Sequence, residues 1–247
     1  MIASALAAAM LTSTFPAGSK FSFRGHTCNY AVAGTGPQPV LLLHGFAGSG
    51  YNSFRETLPA LAGETHTVYA LDLLGLGASD QPADVTYSID LWRDQCAAFV
   101  DEVLDGTPPV VIGTSFGSLI ALELAVSDTP VKALGMANCA VGMNMKGSVK
   151  ALEVPWQAAI AKVVCGLVDV IFSQKWLLAN GLEKFATAET VGNALKEAVY
   201  VNPERVTDDL VQDYLSLAKD RDAAVEVRLK LSTPPNLVAH ARGAPIH

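Results

Sequence analysis

Short apolar runs and amphipathic segments alternate along this chain, and loops rich in glycine or proline separate them. Continuous apolar runs are typical of strands buried on both faces of a parallel sheet, and Val40–Leu43 and Val110–Ile112 are the clearest examples. Further strands are predicted at Ser19–Phe23, Asn29–Val32, Thr67–Leu71 and Val131–Ala137.

Amphipathic segments between these runs predict helices. In Tyr87–Leu104 the apolar positions recur at steps of three and four, and Ser88 is its predicted N-cap. Shorter helices are predicted around Phe54 and Leu58 and from Leu119 onwards. Thr187 and Thr207 are the predicted N-caps of two helices further along the chain. Strands that alternate with helices favour an α/β class, with a mostly parallel sheet and helices on both of its faces.

The strand Val110–Ile112 runs directly into the pentapeptide Gly113-Thr114-Ser115-Phe116-Gly117, and a helix follows. Strand, sharp turn and helix are what a nucleophile elbow requires, because the turn lifts the serine hydroxyl above the sheet. Gly113 and Gly117 lack Cβ atoms and let strand and helix approach closely. A glycine-rich turn without chemistry is the alternative, since the pentapeptide is built from common residues.

Two other strands also end in loops that suggest chemistry. Val40–Leu43 leads into His44-Gly45-Phe46-Ala47-Gly48, a loop that can aim backbone N–H groups at an oxyanion. We interpret His44 as a brace for this loop rather than a general base. Asp72, after the next strand, and Asp80 are expected to hydrogen-bond the backbone of the glycine-rich turn between them, and not to act as catalytic acids.

Taken together, three motifs resemble the α/β-hydrolase superfamily in order and spacing. They are Leu42-Leu43-His44-Gly45-Phe46, the segment from Asp72 to Asp80, and Gly113–Gly117. Within that superfamily the chain is similar to the plant and algal plastid branch that includes pheophytinase. The segments Ala186–Val191 and Val206–Val211 carry this closer similarity.

The resemblance implies roles for particular residues. Ser115 would be the nucleophile, and the backbone N–H groups of Phe46 and Phe116 would form the oxyanion hole. His44, Gly45, Gly113 and Gly117 would support the two loops. A serine nucleophile favours cleavage of an ester, here a hydrophobic one such as a phytyl ester, and this chemistry requires neither a metal nor a cofactor.

Four regions are expected along the chain. Residues 1–18 form a disordered or targeting segment, 19–140 the α/β-hydrolase core, 141–235 a helical cap, and 236–247 a short tail. The apolar segment Trp156–Trp176 would suit a membrane span in length, but Lys162, Asp169 and Lys175 interrupt it. It is expected to pack on the core or to line an acyl pocket, which leaves membrane-surface association through the cap open.

The resemblance also implies two more strands after the cap, with the triad acid and histidine near their ends. Here only residues 236–247 follow, and we interpret His240 and His247 as tail residues. Some members place the acid after the strand that follows the elbow, where this chain has Asn138. The chain is therefore expected to be a C-terminally truncated serine hydrolase or a non-catalytic relative that binds an apolar ligand or a partner.

Composition narrows the possible partners, the state of the cysteines and the location of the protein. The 247 residues are 50% hydrophobic, and the net charge of −7 argues against nucleic acid as a partner. The widely spaced Cys28, Cys96, Cys139 and Cys165 are expected to be reduced core thiols. No acidic residue precedes Glu56, which favours a plastid destination, with the cytoplasm as the alternative. The oligomeric state is left open.

Overall fold

A computed structural model describes residues 18–45, 48–82, 84–139 and 187–219. The strands in this part are β1 (Ser19–Phe23), β2 (His26–Ala33), β3 (Gln38–Leu43), β4 (His66–Leu71), β5 (Val110–Thr114) and β6 (Ala133–Ala137). The α-helices are α1 (Gly50–Phe54), α2 (Thr57–Leu61), α3 (Ile89–Glu102), α4 (Phe116–Ala125), α5 (Ala188–Ala194) and α6 (Asp208–Lys219). The apolar segment Trp156–Trp176, the tail from Asn236 and residues 1–17 lie outside the described residues.

The described strands form one mixed, mostly parallel sheet in the order β1-β2-β4-β3-β5-β6. The pairs β4–β3, β3–β5 and β5–β6 are parallel, whereas β1–β2 and β2–β4 are antiparallel. This architecture confirms the predicted fold class.

Helices cover both faces of the sheet, as the alternation of side chains along β3 requires. Leu41 and Leu43 are buried in a core cluster with residues of α3 and α4, such as Trp92. Leu42 belongs to a second cluster on the other face, with Leu58 of α2. Because successive side chains of a strand point to opposite faces, one apolar run serves both layers.

Element boundaries differ from the predictions by a few residues. Helix α3 is shorter than Tyr87–Leu104, and Ser88 is confirmed as its N-cap because the Ser88 hydroxyl accepts the Leu91 N–H at 3.1 Å. Strand β6 begins at Ala133, two residues later than predicted. Before it, the Lys132 N–H donates to the carbonyl of Pro109, outside the strand ladder.

The parallel register brings the carboxyl ends of four strands to one edge of the sheet. Leu43 of β3 lies opposite Leu71 of β4 and Gly113 of β5, and Gly113 lies opposite Met136 of β6. The residues that follow these strands therefore meet at that edge, where ligands bind in open α/β sheets.

Residues 187–219 form a helical segment with a small apolar cluster of its own. Its buried members are Leu195, Val206, Leu210, Val211 and Leu215. The predicted N-caps are confirmed, since the Thr187 hydroxyl accepts the Thr190 N–H at 3.2 Å and the Thr207 hydroxyl accepts the Leu210 N–H at 3.3 Å. None of the helices in the described ranges is long and apolar enough to cross a bilayer.

Candidate active site

Ser115 lies between the end of β5 and the start of α4, with φ 51° and ψ −118°. Non-glycine residues rarely adopt positive φ, and such strain is stored where the surroundings hold it in place. The Ser115 N–H donates to the Ala137 carbonyl at 2.9 Å, and the Ser118 N–H donates to the Ser115 carbonyl at 3.1 Å. The Ser115 side chain makes no capping hydrogen bond to α4. The elbow is thus held by its backbone, and the hydroxyl is not used to cap the helix.

The two glycines of the pentapeptide allow the elbow to pack against β3. A Cβ on Gly117 would overlap the carbonyl oxygen of Leu43, and one on Gly113 would overlap the carbonyl of Gly117. All of these neighbouring atoms belong to the backbone and have little room to move. Any larger residue at either position would push α4 away from the carboxyl end of β3.

The loop after β3 touches the elbow directly. A Cβ on Gly45 would lie 3.3 Å from Ser115 Cβ and 3.8 Å from Ser115 Oγ. Phe116 is the first residue of α4, and its buried ring packs edge-on against Trp92 at a centroid distance of 5.1 Å. Most of the predicted site residues therefore meet at this edge: His44, Gly45, Gly113, Ser115, Phe116 and Gly117. Phe46 lies outside the described residues, so its role stays a prediction.

His44 is buried, and both of its ring nitrogens are engaged by backbone groups. Nε2 accepts the Leu73 N–H at 3.1 Å, so this nitrogen carries no proton. The proton therefore sits on Nδ1, which donates to the Gly45 carbonyl at 2.8 Å. Burial lowers the pKa of His44 below its usual 6.5, although the charge of Asp72 acts in the opposite direction. A neutral imidazole with both nitrogens occupied can brace the loop but has no lone pair left for Ser115.

Asp72 follows β4, and three donors surround its buried carboxylate. Oδ1 accepts the Gly50 N–H at 2.6 Å, and Oδ2 accepts Asn29 Nδ2 and the Ala78 N–H, both at 2.9 Å. The bond to Ala78 is the predicted contact with the glycine-rich turn. The contacts with Gly50 and Asn29 were not predicted, because they join residues far apart in the sequence.

Asp80 differs from its predicted role. Its carboxylate accepts the Thr27 N–H at 2.7 Å, so the side chain binds β2 instead of the turn. Only its backbone carbonyl reaches the turn, where it accepts the Gly75 N–H at 2.9 Å. The reason is that the turn folds back along β2, where the Asp80 N–H also donates to the Thr27 carbonyl at 2.9 Å.

Gln95 and Ser118 are among the buried polar residues near the site that the sequence did not predict. The Gln95 side chain accepts the Leu74 N–H at 2.9 Å and donates to the Asp72 carbonyl at 3.1 Å. Gln95 lies three residues after Trp92 on the buried face of α3, and a buried polar side chain needs a hydrogen-bond partner. The sequence pattern could therefore have indicated this contact. The Ser118 hydroxyl donates to the Gly113 carbonyl at 2.8 Å and ties α4 to β5.

In the part of the chain that the structure describes, few other groups could add chemistry to the site. Asn138 follows β6 with φ 48°, and its amide cannot replace a triad carboxylate. Cys28 and Cys96 are free and buried, as expected of core thiols, and burial raises the pKa of Cys28 to about 12. Cys139 is only half-buried, and Cys165 lies outside the described residues. Within the described ranges no group of three or more His, Cys, Asp or Glu side chains could hold a metal.

Comparison with known proteins identifies the fold of this region. The profile of the α/β hydrolase fold matches residues 38–153, which include β3 to β6 and the elbow. This part of the chain has the α/β-hydrolase fold. A crystal structure of a meta-cleavage product hydrolase from Pseudomonas fluorescens IP01 has the same fold, with a TM-score of 0.57 and 24% identity over 81% of this chain and 63% of that one.

The curated relatives are matched over only part of their own length. A 2-hydroxymuconate semialdehyde hydrolase from Pseudomonas sp. (strain CF600) is 37% identical over 91 residues, which is 36% of this chain and 31% of that protein. The chloroplastic pheophytinase of Arabidopsis thaliana is 32% identical over 118 residues, covering 36% of this chain and 24% of that protein. The chain thus spans less than a third of the length of either relative.

Proposed function

We propose that this chain is a serine hydrolase of carboxylic esters, with Ser115 as the nucleophile. The observation that carries the proposal is the backbone of Ser115, held at positive φ between β5 and α4 with Gly45 packed against it. In such an elbow the hydroxyl faces the carboxyl edge of the sheet, where an ester carbonyl can approach.

Attack by Ser115 Oγ on the ester carbonyl carbon would place negative charge on the carbonyl oxygen. In our proposal the backbone N–H groups of Phe46 and Phe116 stabilise this oxyanion. Loss of one such donor typically costs about 3–4 kcal/mol of transition-state stabilisation. His44 keeps the loop before Phe46 in place, while Gly113 and Gly117 keep α4 against β3.

A hydrophobic ester, for example a phytyl ester, is the proposed substrate. The similarity to the chloroplastic pheophytinase supports this choice, as does the apolar sequence Trp156–Trp176 in the region 141–235 that we propose as the cap. The same similarity and the acid-free segment before Glu56 support a plastid location. A reporter fused after residue 20 should enter plastids, and a reporter that stays in the cytosol would contradict the location alone.

A second candidate is a non-catalytic protein that binds an apolar ligand at the same edge. It is favoured by the engagement of both His44 nitrogens and by the amide of Asn138 where a carboxylate could stand. His240 and His247, the two histidines that follow the elbow in sequence, lie outside the described residues. General-base assistance is worth about 10²–10⁴-fold, so the presence of a base separates the two candidates.

Hydrolysis of p-nitrophenyl esters with acyl chains from acetyl to dodecanoyl tests the two candidates. The serine hydrolase predicts turnover that increases with acyl length and is lost in Ser115→Ala. Ser127→Ala is the matched control, because its hydroxyl binds the Leu124 carbonyl at the far end of α4. Turnover retained in Ser115→Ala would overturn the proposed nucleophile. No turnover, with thermal stabilisation by a non-cleavable apolar ether, would favour the binding protein.

A further inference from the structure

The 44–50 loop leads from the end of β3 into Gly50, the first residue of α1. Its described residues, 44–45 and 48–50, are hydrogen-bonded at both ends to two consecutive residues of another loop. We propose that Asp72 and Leu73 form a clamp that positions this loop against Ser115. Asp72 is then a positioning residue for the reaction, acting through the loop without touching the substrate. The positioning role rests on the proposed function, whereas the clamp itself is a property of the fold.

The first anchor is at His44. The Leu73 N–H donates to His44 Nε2, which forces the proton onto Nδ1 and directs it to the Gly45 carbonyl. The Gly48 N–H donates to the same carbonyl at 3.1 Å. Two donors therefore fix the direction of the carbonyl of Gly45, the residue packed against Ser115.

The second anchor is at Gly50. Its N–H donates to Asp72 Oδ1 at 2.6 Å, a short distance typical of a hydrogen bond to a carboxylate. The backbone of Gly50 also packs on Ala70, because a Cβ there would lie 3.1 Å from the Ala70 carbonyl oxygen. The end of the loop is thus held against β4 by a charged acceptor and by close packing.

Only a carboxylate can hold the clamp in its present form. Oδ2 accepts two further donors, Asn29 Nδ2 and the Ala78 N–H, so Asp72 joins the loop to β2 and to the glycine-rich turn as well. An asparagine at position 72 would present an NH2 group either to Gly50 or to those two donors. In both orientations at least one donor loses its acceptor in a buried place.

Asp72→Asn and the matched control Asp80→Asn test the clamp in the full chain. Asp80 lies in the same turn, but its carboxylate accepts the Thr27 N–H of β2 and makes no hydrogen bond to the described residues of the 44–50 loop. Amide exchange measured by mass spectrometry should rise roughly 10- to 100-fold in peptides covering 44–54 of Asp72→Asn, as expected for a lost hydrogen bond to a charged group. Amide exchange should change far less in peptides covering 110–120 of Asp72→Asn. It should also change far less in both the 44–54 and the 110–120 peptides of Asp80→Asn.

Affinity for phenylboronic acid, which forms a tetrahedral adduct with a reactive serine, tests positioning. Weaker binding to Asp72→Asn with unchanged binding to Asp80→Asn supports the proposal, and equal binding to all three proteins overturns the positioning role. If the wild-type chain binds no boronate but its loop exchanges as predicted, the clamp stands and the proposed function fails. Equal exchange of the 44–54 region in the two variants overturns the clamp.

Exchange in the wild-type chain decides the question if Asp72→Asn does not fold. The amides of Gly50 and Leu73 donate to the two anchors, so NMR should find both protected to a similar extent. Rapid exchange at Gly50 or Leu73 would overturn the clamp.

Discussion

At the scale of single residues, His44 shows how burial and two backbone partners select one form of a side chain. The Leu73 N–H requires a bare Nε2, and the Gly45 carbonyl requires a proton on Nδ1. A protonated imidazole would place an N–H against the Leu73 N–H in a buried position. The neutral tautomer is therefore favoured by hydrogen bonding as well as by the cost of burying a charge.

Stability should consequently depend on pH through His44. Its pKa is lowered in the folded chain, so the unfolded chain binds the proton more tightly. The stability it contributes is fully present above the unfolded-state pKa of 6.5 and is lost as the pH falls towards the folded-state pKa. The free energy of unfolding cannot change through His44 by more than about 1.4 kcal/mol per pH unit, which is the limit for one titrating proton.

Urea denaturation of the wild type and His44→Gln between pH 7 and pH 5 measures this contribution. The difference between the two free energies of unfolding should fall with decreasing pH, because glutamine does not titrate. A difference independent of pH would contradict the assignment of a neutral His44.

At the scale of elements, the elbow depends on contact between backbones. The first turn of α4 packs on the end of β3 through Gly117, and Gly113 packs on that same turn. Helix propensity alone favours alanine over glycine by about 1 kcal/mol, whereas overlap with a fixed carbonyl has the opposite and larger effect. At Gly117 we expect this overlap to outweigh helix propensity, so that a substitution by alanine destabilises the fold.

Gly117→Ala should therefore lower the free energy of unfolding by about 1–3 kcal/mol, the range for overpacking. Gly192→Ala in α5 is the matched control, because among the described residues a Cβ there meets only Val211 Cγ2, at 3.6 Å. That variant should stabilise its helix by about 0.5–1 kcal/mol. Equal effects of the two substitutions in chemical denaturation would contradict the close approach of α4 to β3.

At the scale of the molecule, two apolar layers cover the sheet, and a third cluster lies within residues 187–219. An exposed ion pair, Arg205–Glu56 at 3.2 Å, links this segment to the N-cap residue of α2. Exposed pairs contribute at most about 1 kcal/mol, so the segment owes its order chiefly to its own cluster.

Leu210→Ala should loosen residues 187–219 while leaving the sheet folded, since Leu210 is fully buried in the separate cluster. Leu124→Ala is the matched control, because Leu124 is equally buried but in the main core. Each substitution removes about 2–5 kcal/mol of packing from its own cluster. Hydrogen exchange should rise only in residues 187–219 for Leu210→Ala, and it should rise also in β3 and β5 for Leu124→Ala. If exchange rose in the sheet in both variants, the segment 187–219 and the sheet would not be separate units.

The sequence by itself determined the elements and the elbow. Val40–Leu43 and Val110–Ile112 predicted central strands because a strand covered on both faces needs a continuous apolar run. Ser88, Thr187 and Thr207 predicted helix starts because a hydroxyl satisfies an N–H that has no partner within the helix. The Gly113–Gly117 pentapeptide predicted a strand-to-helix turn, which the structure has. These features depend on neighbours within a few residues.

Only the tertiary structure decided which distant residues meet. The position of β4 between β2 and β3 and the common register of Leu43, Leu71 and Gly113 place the loops after three strands at one edge. The contacts of His44 with Leu73 and of Asp72 with Gly50 follow from that register. Local patterns do not encode them, because a side chain's polar partner is set by strand order and burial and not by its neighbours in sequence.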